Sequence, residues 1–160
     1  MARTRTRVDQ VYGFDELEER AKEQARDWFR EVYDNEQWWE HLYDDAERIG
    51  CKITGFDLGR SQSIDFELVE GVNEVARRIL AEHGKECDTY KLAAEWFATK
   101  AKRSNHFDDG EVIAEEFRYQ LSQCYWYMLE RELEYLMSEE SVDENIRANE
   151  YEFTESGHIA

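Results

Sequence analysis

The longest uninterrupted helical pattern in the sequence runs from residue 109 to residue 137. Apolar side chains recur there at steps of three and four residues, which places them on one stripe of a helix with about 3.6 residues per turn. This stripe comprises Ile113, Phe117, Leu121, Cys124, Met128 and Tyr135. A second apolar set, turned away from the first, comprises Tyr125, Trp126, Leu129, Leu133 and Leu136. Because a helix that is apolar on two sides usually has neighbours on both, the pattern predicts a long central helix around which the chain packs.

The composition indicates a folded, mostly helical protein. The chain of 160 residues has no proline, and it is 41% hydrophobic and 14% aromatic, which is too apolar for a disordered acidic polymer. A chain of this length fits one domain. We predict a single α+β domain over residues 8–154, with a flexible basic arm over residues 1–7 and a loose tail over residues 155–160. Its small antiparallel sheet should pack with helices around the long central helix.

Five shorter segments complete the predicted framework. Apolar periodicity predicts helices over residues 15–32, 36–49 and 72–83, another beginning after Asp88, and a last one over residues 138–148. The first should bury Phe14, Leu17, Ala21, Ala25, Trp28 and Val32. Asp15 and Ser138 are suitable helix caps, and Gly50 is a suitable helix stop.

A change of period between residues 51 and 69 predicts a β-hairpin. Ile64, Phe66 and Leu68 alternate with polar residues, which is typical of a half-buried strand. Its partner is predicted over residues 51–58, with the connecting turn over residues 59–62 and a bulge at Gly55. Residues 8–12 are a candidate edge strand, and Tyr151 and Phe153 alternate as a candidate third strand.

The charge of the chain is strongly negative. It contains 38 acidic and 20 basic residues, giving a formal net charge of −18. A net charge with a magnitude of only about 2–8 is enough to keep a small domain soluble. Arg3, Arg5 and Arg7 all lie in the first seven residues, so the rest of the chain is still more acidic. Such a body disfavours contact with nucleic acid or anionic lipid and favours a basic partner.

The predicted helix over residues 36–49 carries a row of carboxylates. Glu36, Glu40, Asp44 and Glu47 recur at spacings that put neighbours about 5–6 Å apart along one edge, like a row of phosphates. We predict a partner-binding acidic face that also includes Glu16, Glu23, Asp27 and Asp45. Trp39 lies beside this face as a candidate interface anchor. The alternative interpretation is that these carboxylates are merely solvated.

No convincing catalytic or metal-binding motif is present. The four histidines are scattered, and the glycines of residues 55–61 lack the spacing and lysine of a phosphate-binding loop. Asp57, Arg60 and Asp65 are better interpreted as a salt-bridged turn than as an acid–base site. Cys124 is predicted to be a core residue, and a hydrolase using Cys51 or Cys124 with a distant histidine is a remote alternative. We therefore predict a protein that is not an enzyme and that binds no metal or cofactor.

Cellular location is indicated by two further features. Cys51, Cys87 and Cys124 are an odd number without paired spacing, which favours a reducing compartment. No apolar run approaches the length of about 18 residues expected of a membrane helix, and the N-terminus lacks the apolar core of a signal peptide. We predict a cytoplasmic protein.

Several stretches resemble a family of small acidic accessory proteins carried by bacteriophages and prophages. The stretches are FDELEERAKEQARDWFRE, WWEHLYDDAERIG, ITGFDLGR and ANEYEFTESG, which cover residues 14–31, 38–50, 53–60 and 148–157. The basic arm MARTRTR is not part of the resemblance. The resemblance implies a phage-borne accessory protein expressed in the cytoplasm of a bacterial host cell, with an anti-defence or antitoxin-like role, and it supplies no catalytic residues.

Two functions follow as expectations. The first is a phage-type inhibitor that mimics nucleic acid and binds a basic host protein such as a CRISPR effector or a restriction enzyme. The second is an antitoxin or regulator that neutralises a basic toxin and contacts DNA through Arg3, Arg5 and Arg7. Neither involves a membrane, and either is compatible with a homodimer.

Overall fold

The computed structural model describes residues 1–33, 37–102 and 110–160. These residues form six α-helices and one two-stranded antiparallel sheet. The predicted fold class, a mostly helical α+β protein with a small antiparallel sheet, is confirmed. In chain order the elements are α1 (Glu19–Tyr33), α2 (Glu40–Arg48), β1 (Cys51–Asp57), β2 (Ser63–Leu68), α3 (Val72–Glu82), α4 (Asp88–Lys102), α5 (Gly110–Leu136) and α6 (Glu139–Asn149).

The contacts within the chain group into two compact units, where the sequence had indicated one domain over residues 8–154. The terminal unit comprises Met1–Gln37 and Leu133–Ala160, so both ends of the chain contribute to it. The middle unit comprises Trp38–Glu132 and contains the sheet. Each unit has its own core of buried apolar side chains.

The terminal unit begins with a single 3-10 turn, Phe14–Glu16, that precedes α1. The carboxylate of Glu16 accepts a hydrogen bond from the Gly13 backbone N–H at 2.9 Å. The chain is extended at Leu17 before α1 starts. The helix predicted to start at Asp15 therefore starts later, because residues 14–16 form a separate turn that is capped by Glu16.

The core of the terminal unit follows the predicted stripe of α1 with one correction. Ala21, Ala25 and Phe29 lie at four-residue steps and are buried, whereas Val32 is 42% exposed and was wrongly placed inside. Position 29 continues the stripe of positions 21 and 25 more closely than position 32 does. These side chains pack with Phe14, Leu17, Val142, Ile146 and Phe153.

Backbone hydrogen bonds hold the last residues of the chain. Phe153 forms isolated antiparallel bridges with Tyr12 and with Ile159. The predicted third strand and the predicted edge strand over residues 8–12 are therefore wrong, since only these isolated bridges form there. Gly157 has φ of +89°, and a Cβ atom at this position would lie 2.1 Å from the Ala21 carbonyl oxygen. Only glycine fits this close approach.

The hairpin of the middle unit forms as predicted. β1 and β2 pair antiparallel with Ile53 opposite Phe66, and the register shifts between Ile53 and Gly55, which confirms the bulge. Helix α5 is attached to both strands by side-chain hydrogen bonds. Trp126 Nε1 donates to the Asp57 carbonyl oxygen at 3.0 Å, and Arg118 Nη1 donates to the Phe66 carbonyl oxygen at 3.1 Å.

Helices α2 to α5 enclose the buried face of this hairpin. The central residues of the core are Ile49, Cys51, Ile53, Phe66, Val75, Ile79, Phe117, Leu121 and Tyr125. Phe117 and Leu121 confirm the predicted stripe of α5, whereas Tyr135 is 55% exposed and was wrongly assigned to it. Gly50, with φ of +84°, ends α2 as expected. Helix α2 begins at Glu40 and not at the predicted Glu36, since residues 37–39 are not helical. Residue 36 itself and the predicted start of α5 at residue 109 lie outside the described residues.

Candidate functional site

Three carboxylates form an exposed row on α2, which we call the α2 acidic edge. Glu40, Asp44 and Glu47 are exposed and recur at four- and three-residue steps. Within the described residues, none of the three forms an ion pair with a lysine, arginine or histidine. Glu36, the fourth predicted member of the row, lies outside the described residues. The α2 acidic edge is thus a row of negative charge without an ion-pair partner in the described part of the middle unit.

Asp45 is adjacent in sequence but belongs to an internal network. Its carboxylate accepts a hydrogen bond from the hydroxyl of Tyr125 at 2.7 Å, and His83 Nε2 lies 3.1 Å from the same oxygen. Burial raises the pKa of Asp45, but the contacts with His83 and Tyr125 outweigh burial, and the pKa lies below its ordinary value. Asp45 is therefore an anchoring carboxylate on α2.

Of the predicted acidic residues that the structure describes in the terminal unit, Glu23 and Asp27 are paired with arginines and Glu16 is not. Glu23 contacts Arg26 at 3.0 Å and Arg30 at 3.4 Å, and Asp27 contacts Arg30 at 3.2 Å. Hydrogen bonding to Arg26 lowers the pKa of Glu23. Glu16, as described above, caps the 3-10 turn. The structure thus neutralises most of the negative charge that the sequence places on α1.

Trp39 is half-buried in an aromatic cluster that joins the start of α2 to β1. Its ring centroid lies 5.6 Å from that of Trp38 and 5.8 Å from that of Phe56, in both cases at nearly right angles. Tyr43 extends the cluster, 6.3 Å from Phe56. Edge-to-face packing of this kind stabilises the attachment of α2 to the sheet. Trp39 therefore has a packing role, whether or not it also contacts a partner.

A cleft of about 820 Å³ lies beside the α2 acidic edge, and sequence reasoning did not find it. Carboxylates dominate its wall because α2, α3, the α3–α4 loop, α4 and α5 each contribute at least one. They are Asp44, Asp45, Glu82, Glu86, Asp88 and Glu132. The basic residues of the wall are Arg48 and Arg131, and Leu42 and Met128 provide apolar surface. Asp44 belongs both to the α2 acidic edge and to this cleft.

His83 lies in the wall of the cleft at the C-terminal end of α3. Its Nδ1 is 2.6 Å from the hydroxyl of Thr89, and its side chain is only 9% exposed. Its Nε2 approaches Asp45 but not in a hydrogen-bonding direction, so this buried nitrogen has no hydrogen-bond partner in the described part of the chain. Thr89, His83 and Asp45 have the residue types of a nucleophilic triad. However, Thr89 is 3% exposed, so its hydroxyl is not open to a substrate.

The cysteines differ sharply in exposure. Cys87 is exposed in the wall of the cleft, Cys124 is partly buried, and Cys51 is fully buried. Burial raises the pKa of Cys51 to about 12 and also raises the pKa of Cys124, so both thiols are poor nucleophiles. Among the described residues, no group of three or more histidine, cysteine or carboxylate side chains is arranged to hold a metal ion.

Two other candidate sites have structural explanations. The Asp57 carboxylate accepts hydrogen bonds from the Gly59 backbone N–H at 2.7 Å and from the Ser61 hydroxyl at 2.8 Å. These bonds lower the pKa of Asp57 and fix the hairpin turn. Among the described residues, the predicted salt bridges of Asp57, Arg60 and Asp65 do not form, and Asp57 instead bonds within the turn. In the basic arm, the Arg7 side chain contacts Asp9 at 3.2 Å.

No family model, no curated protein and no solved structure matches the chain. Within the described residues, no helix is both long enough and apolar enough to cross a lipid bilayer.

Proposed function

We propose that this protein is a non-enzymatic inhibitor of the bacteriophage type that acts in the bacterial cytoplasm. It mimics nucleic acid and binds the basic groove of a defence nuclease or effector, in the manner of an anti-CRISPR or antirestriction protein. The observation that carries the proposal is the α2 acidic edge. Glu40, Asp44 and Glu47 have no cationic partner among the described residues, whereas Arg26 and Arg30 of α1 are both paired with acidic neighbours.

The energetics support a binding role for this edge. Like charges at four-residue steps destabilise a helix by a few tenths of a kcal/mol per pair, about 0.2–0.5 kcal/mol. The net charge of −18 adds self-repulsion that solubility does not require. A basic partner surface would convert this unfavourable repulsion into attraction and would accelerate association.

The proposal is tested in cells that carry one defence system each. The protein is expressed in a set of bacterial strains, each with a single restriction or CRISPR system, and phage plating efficiency is measured against a strain without defence. We expect restored plating in at least one strain. Plating that stays restricted in every strain would refute the proposed target class.

A charge-reversal variant identifies the surface responsible. Glu40→Lys, Asp44→Lys and Glu47→Lys together should abolish the restored plating. The matched control reverses the same number of exposed carboxylates in the terminal unit, at Glu144, Glu152 and Glu155. The control should keep most of the activity, because it changes the net charge equally without touching α2. Equal loss in both variants would show that only total charge matters.

The mode of binding is tested with the purified target from that strain. Its affinity for the protein should fall steeply as salt is raised, and double-stranded DNA should compete for the same site. Binding that is insensitive to salt and unaffected by DNA would contradict mimicry, even if the protein still inhibited its target.

A further inference from the structure

We infer that the basic arm, residues 1–7, binds the phosphate backbone of nucleic acid without reading its sequence. The arm carries Arg3, Arg5 and Arg7, whereas the whole excess of acidic residues lies in the rest of the chain. This inference goes beyond the proposed function and does not rest on it. The arm belongs to the terminal unit and the α2 acidic edge to the middle unit, so the two can be varied separately.

The rest of the chain leaves the arginines of the arm available. Residues 1–11 are exposed and form no helix or strand. Within the described residues, Arg3 and Arg5 form no ion pair, and the only ion pair of Arg7 is with Asp9, at 3.2 Å. The side chains of Arg7 and Asp9 are 86% and 67% exposed, and an ion pair between such exposed groups is weak. All three guanidinium groups can therefore bind another anion.

The alternation of arginine and threonine over residues 3–7 suits a regular array of phosphates. In an extended chain, side chains two residues apart point to the same side and lie about 6–7 Å apart. Each strand of duplex DNA carries one phosphate per about 3.4 Å of helix axis, so successive arginines can each contact a different phosphate. A guanidinium group binds phosphate through two parallel hydrogen bonds, and threonine hydroxyls also donate to phosphate oxygens.

The length of the segment before Tyr12 separates the arm from the acidic body. Tyr12 is the first residue with recorded backbone hydrogen bonds, and it exchanges two with Phe153, both at 2.8 Å. At about 3.3–3.6 Å per residue, Arg7 can extend about 16 Å and Arg3 about 30 Å from Tyr12. The screening length at an ionic strength of about 0.15 M is only about 8 Å. The negative charge of the body therefore does not prevent the arm from approaching an anion.

Nucleic acid fits the arm better than a lipid surface or a second copy of the chain. Residues 2–7 are alanine, arginine and threonine only, so this part of the arm lacks the aromatic and leucine side chains that enter a bilayer. A second copy would bring another strongly acidic body close to the first, and repulsion between the two opposes this approach. Its α2 acidic edge would offer three carboxylates, whereas a duplex offers a continuous line of charge.

The test measures binding of the whole chain to a fluorescein-labelled DNA duplex of about 20 base pairs by fluorescence anisotropy. The variant Arg3→Gln, Arg5→Gln, Arg7→Gln should bind at least about tenfold more weakly than the unmodified chain at an ionic strength of about 0.15 M. For the unmodified chain, the logarithm of the association constant should fall with the logarithm of the salt concentration. The slope expected for about three phosphate contacts is about −2.7, and that of the variant should be near zero.

A matched control variant removes three other exposed cations. Lys52→Gln, Arg60→Gln and Lys85→Gln together change the net charge equally, but all three lie in the middle unit. This variant should keep the affinity and the slope of the unmodified chain. A second duplex of unrelated sequence should bind equally well. Vesicles of phosphatidylcholine with phosphatidylserine, and sedimentation of the protein alone, test the two other partners.

The outcomes separate this inference from its alternatives and from the proposed function. Absence of binding to the duplex, or equal loss in both variants, would overturn the inference. Tighter binding to vesicles than to the duplex would also overturn it, as would self-association that the arm variant loses. A preference of more than about tenfold for one duplex would contradict binding through phosphates alone. If the arm variant still restores phage plating, the proposed function stands whichever result is obtained.

Discussion

Arg26 illustrates how single residues determine where charge remains available. Its guanidinium is 5% exposed and contacts Asp143 at 2.7 Å, Glu19 at 3.1 Å and Glu139 at 3.2 Å. Its hydrogen bonds to Asp143 raise the pKa of Arg26, so the group stays charged at every practical pH. A buried guanidinium of this kind holds the surrounding carboxylates in ion pairs. Those carboxylates are consequently less available to a partner than the α2 acidic edge.

Replacing Arg26 should be severely destabilising. Arg26→Ala leaves the largely buried Asp143 without its partner, and breaking such a pair costs about 3–5 kcal/mol. The free energy of unfolding is measured by urea denaturation. The control is Arg77→Ala, which removes an arginine that is 68% exposed and paired with Glu74 on the same helix, for a cost of at most about 1 kcal/mol. Similar losses in the two variants would contradict the buried network.

The Asp45 network should make stability depend on pH in a defined direction. Because the folded-state pKa of Asp45 is below its ordinary value of 3.8, its ionised form stabilises the fold. That contribution is complete above the unfolded pKa and is lost as pH falls through the lower folded pKa. The stability difference between wild type and Asp45→Asn should therefore be constant near neutral pH and shrink below about pH 4. Urea denaturation across this range measures it, and a difference that grows on acidification would refute the assignment.

Sequence reasoning could recognise the charged residues but not their partners. Arg26 lies three residues after Glu23, which local spacing reveals, but Asp143 is 117 positions away along the chain. The grouping of Glu23 and Asp27 with the α2 carboxylates came from their shared sign alone. Sequence reasoning missed the cleft because its carboxylates come from separate segments of the chain. Only tertiary structure brings Asp45 next to His83 and Tyr125.

At the scale of elements, α6 shows a helix start that local chemistry specifies. The Ser138 hydroxyl oxygen accepts from the Ser141 backbone N–H at 3.3 Å. Ser138→Ala should cost about 1 kcal/mol of stability, as loss of an N-cap usually does. Thermal denaturation measures the effect, and Ser138→Asp should recover most of it, because aspartate also accepts this bond. If the aspartate variant is as unstable as the alanine variant, the cap contributes little.

Elements with strong local signals were predicted well. The β1–β2 hairpin, its Gly55 bulge, the Gly50 stop and the Ser138 cap are all present. The errors lie where periodicity is ambiguous. Tyr135 follows the spacing of the buried stripe of α5 but is exposed, and Phe153 alternates like a strand residue but forms only isolated bridges. The spacing of residues indicates which of them share a face of an element, whereas tertiary packing determines whether that face is buried.

For the whole molecule, net charge should make stability increase with salt. At −18, repulsion between exposed carboxylates opposes folding, and raising ionic strength from about 0.01 M to 1 M shortens the screening length from about 30 Å to 3 Å. We expect the thermal midpoint to rise over this range. The increase should be smaller in the variant Glu40→Gln, Asp44→Asn, Glu47→Gln, which carries three fewer negative charges. A midpoint that falls with salt would show that ion pairs outweigh repulsion.

The division into two units was not visible in the sequence. The length of the chain and the absence of a linker indicated one domain. A unit assembled from both ends of a chain produces no change of composition that would mark a domain boundary. Helices α1 and α6 are each amphipathic, and nothing in the sequence indicates that their apolar faces pack on one another. Pairing across such a distance is set by the final packing rather than by local pattern.

This discontinuity has a consequence for synthesis on the ribosome. Phe14, Ala25 and Phe29 emerge early, but Val142 and Ile146, which cover them, follow only after the middle unit, more than 110 residues after Phe29. At a synthesis rate of about 5–20 residues per second, these apolar side chains remain without their packing partners for roughly 5–20 seconds. Holdase chaperones therefore have a window in which to bind the emerging N-terminal segment.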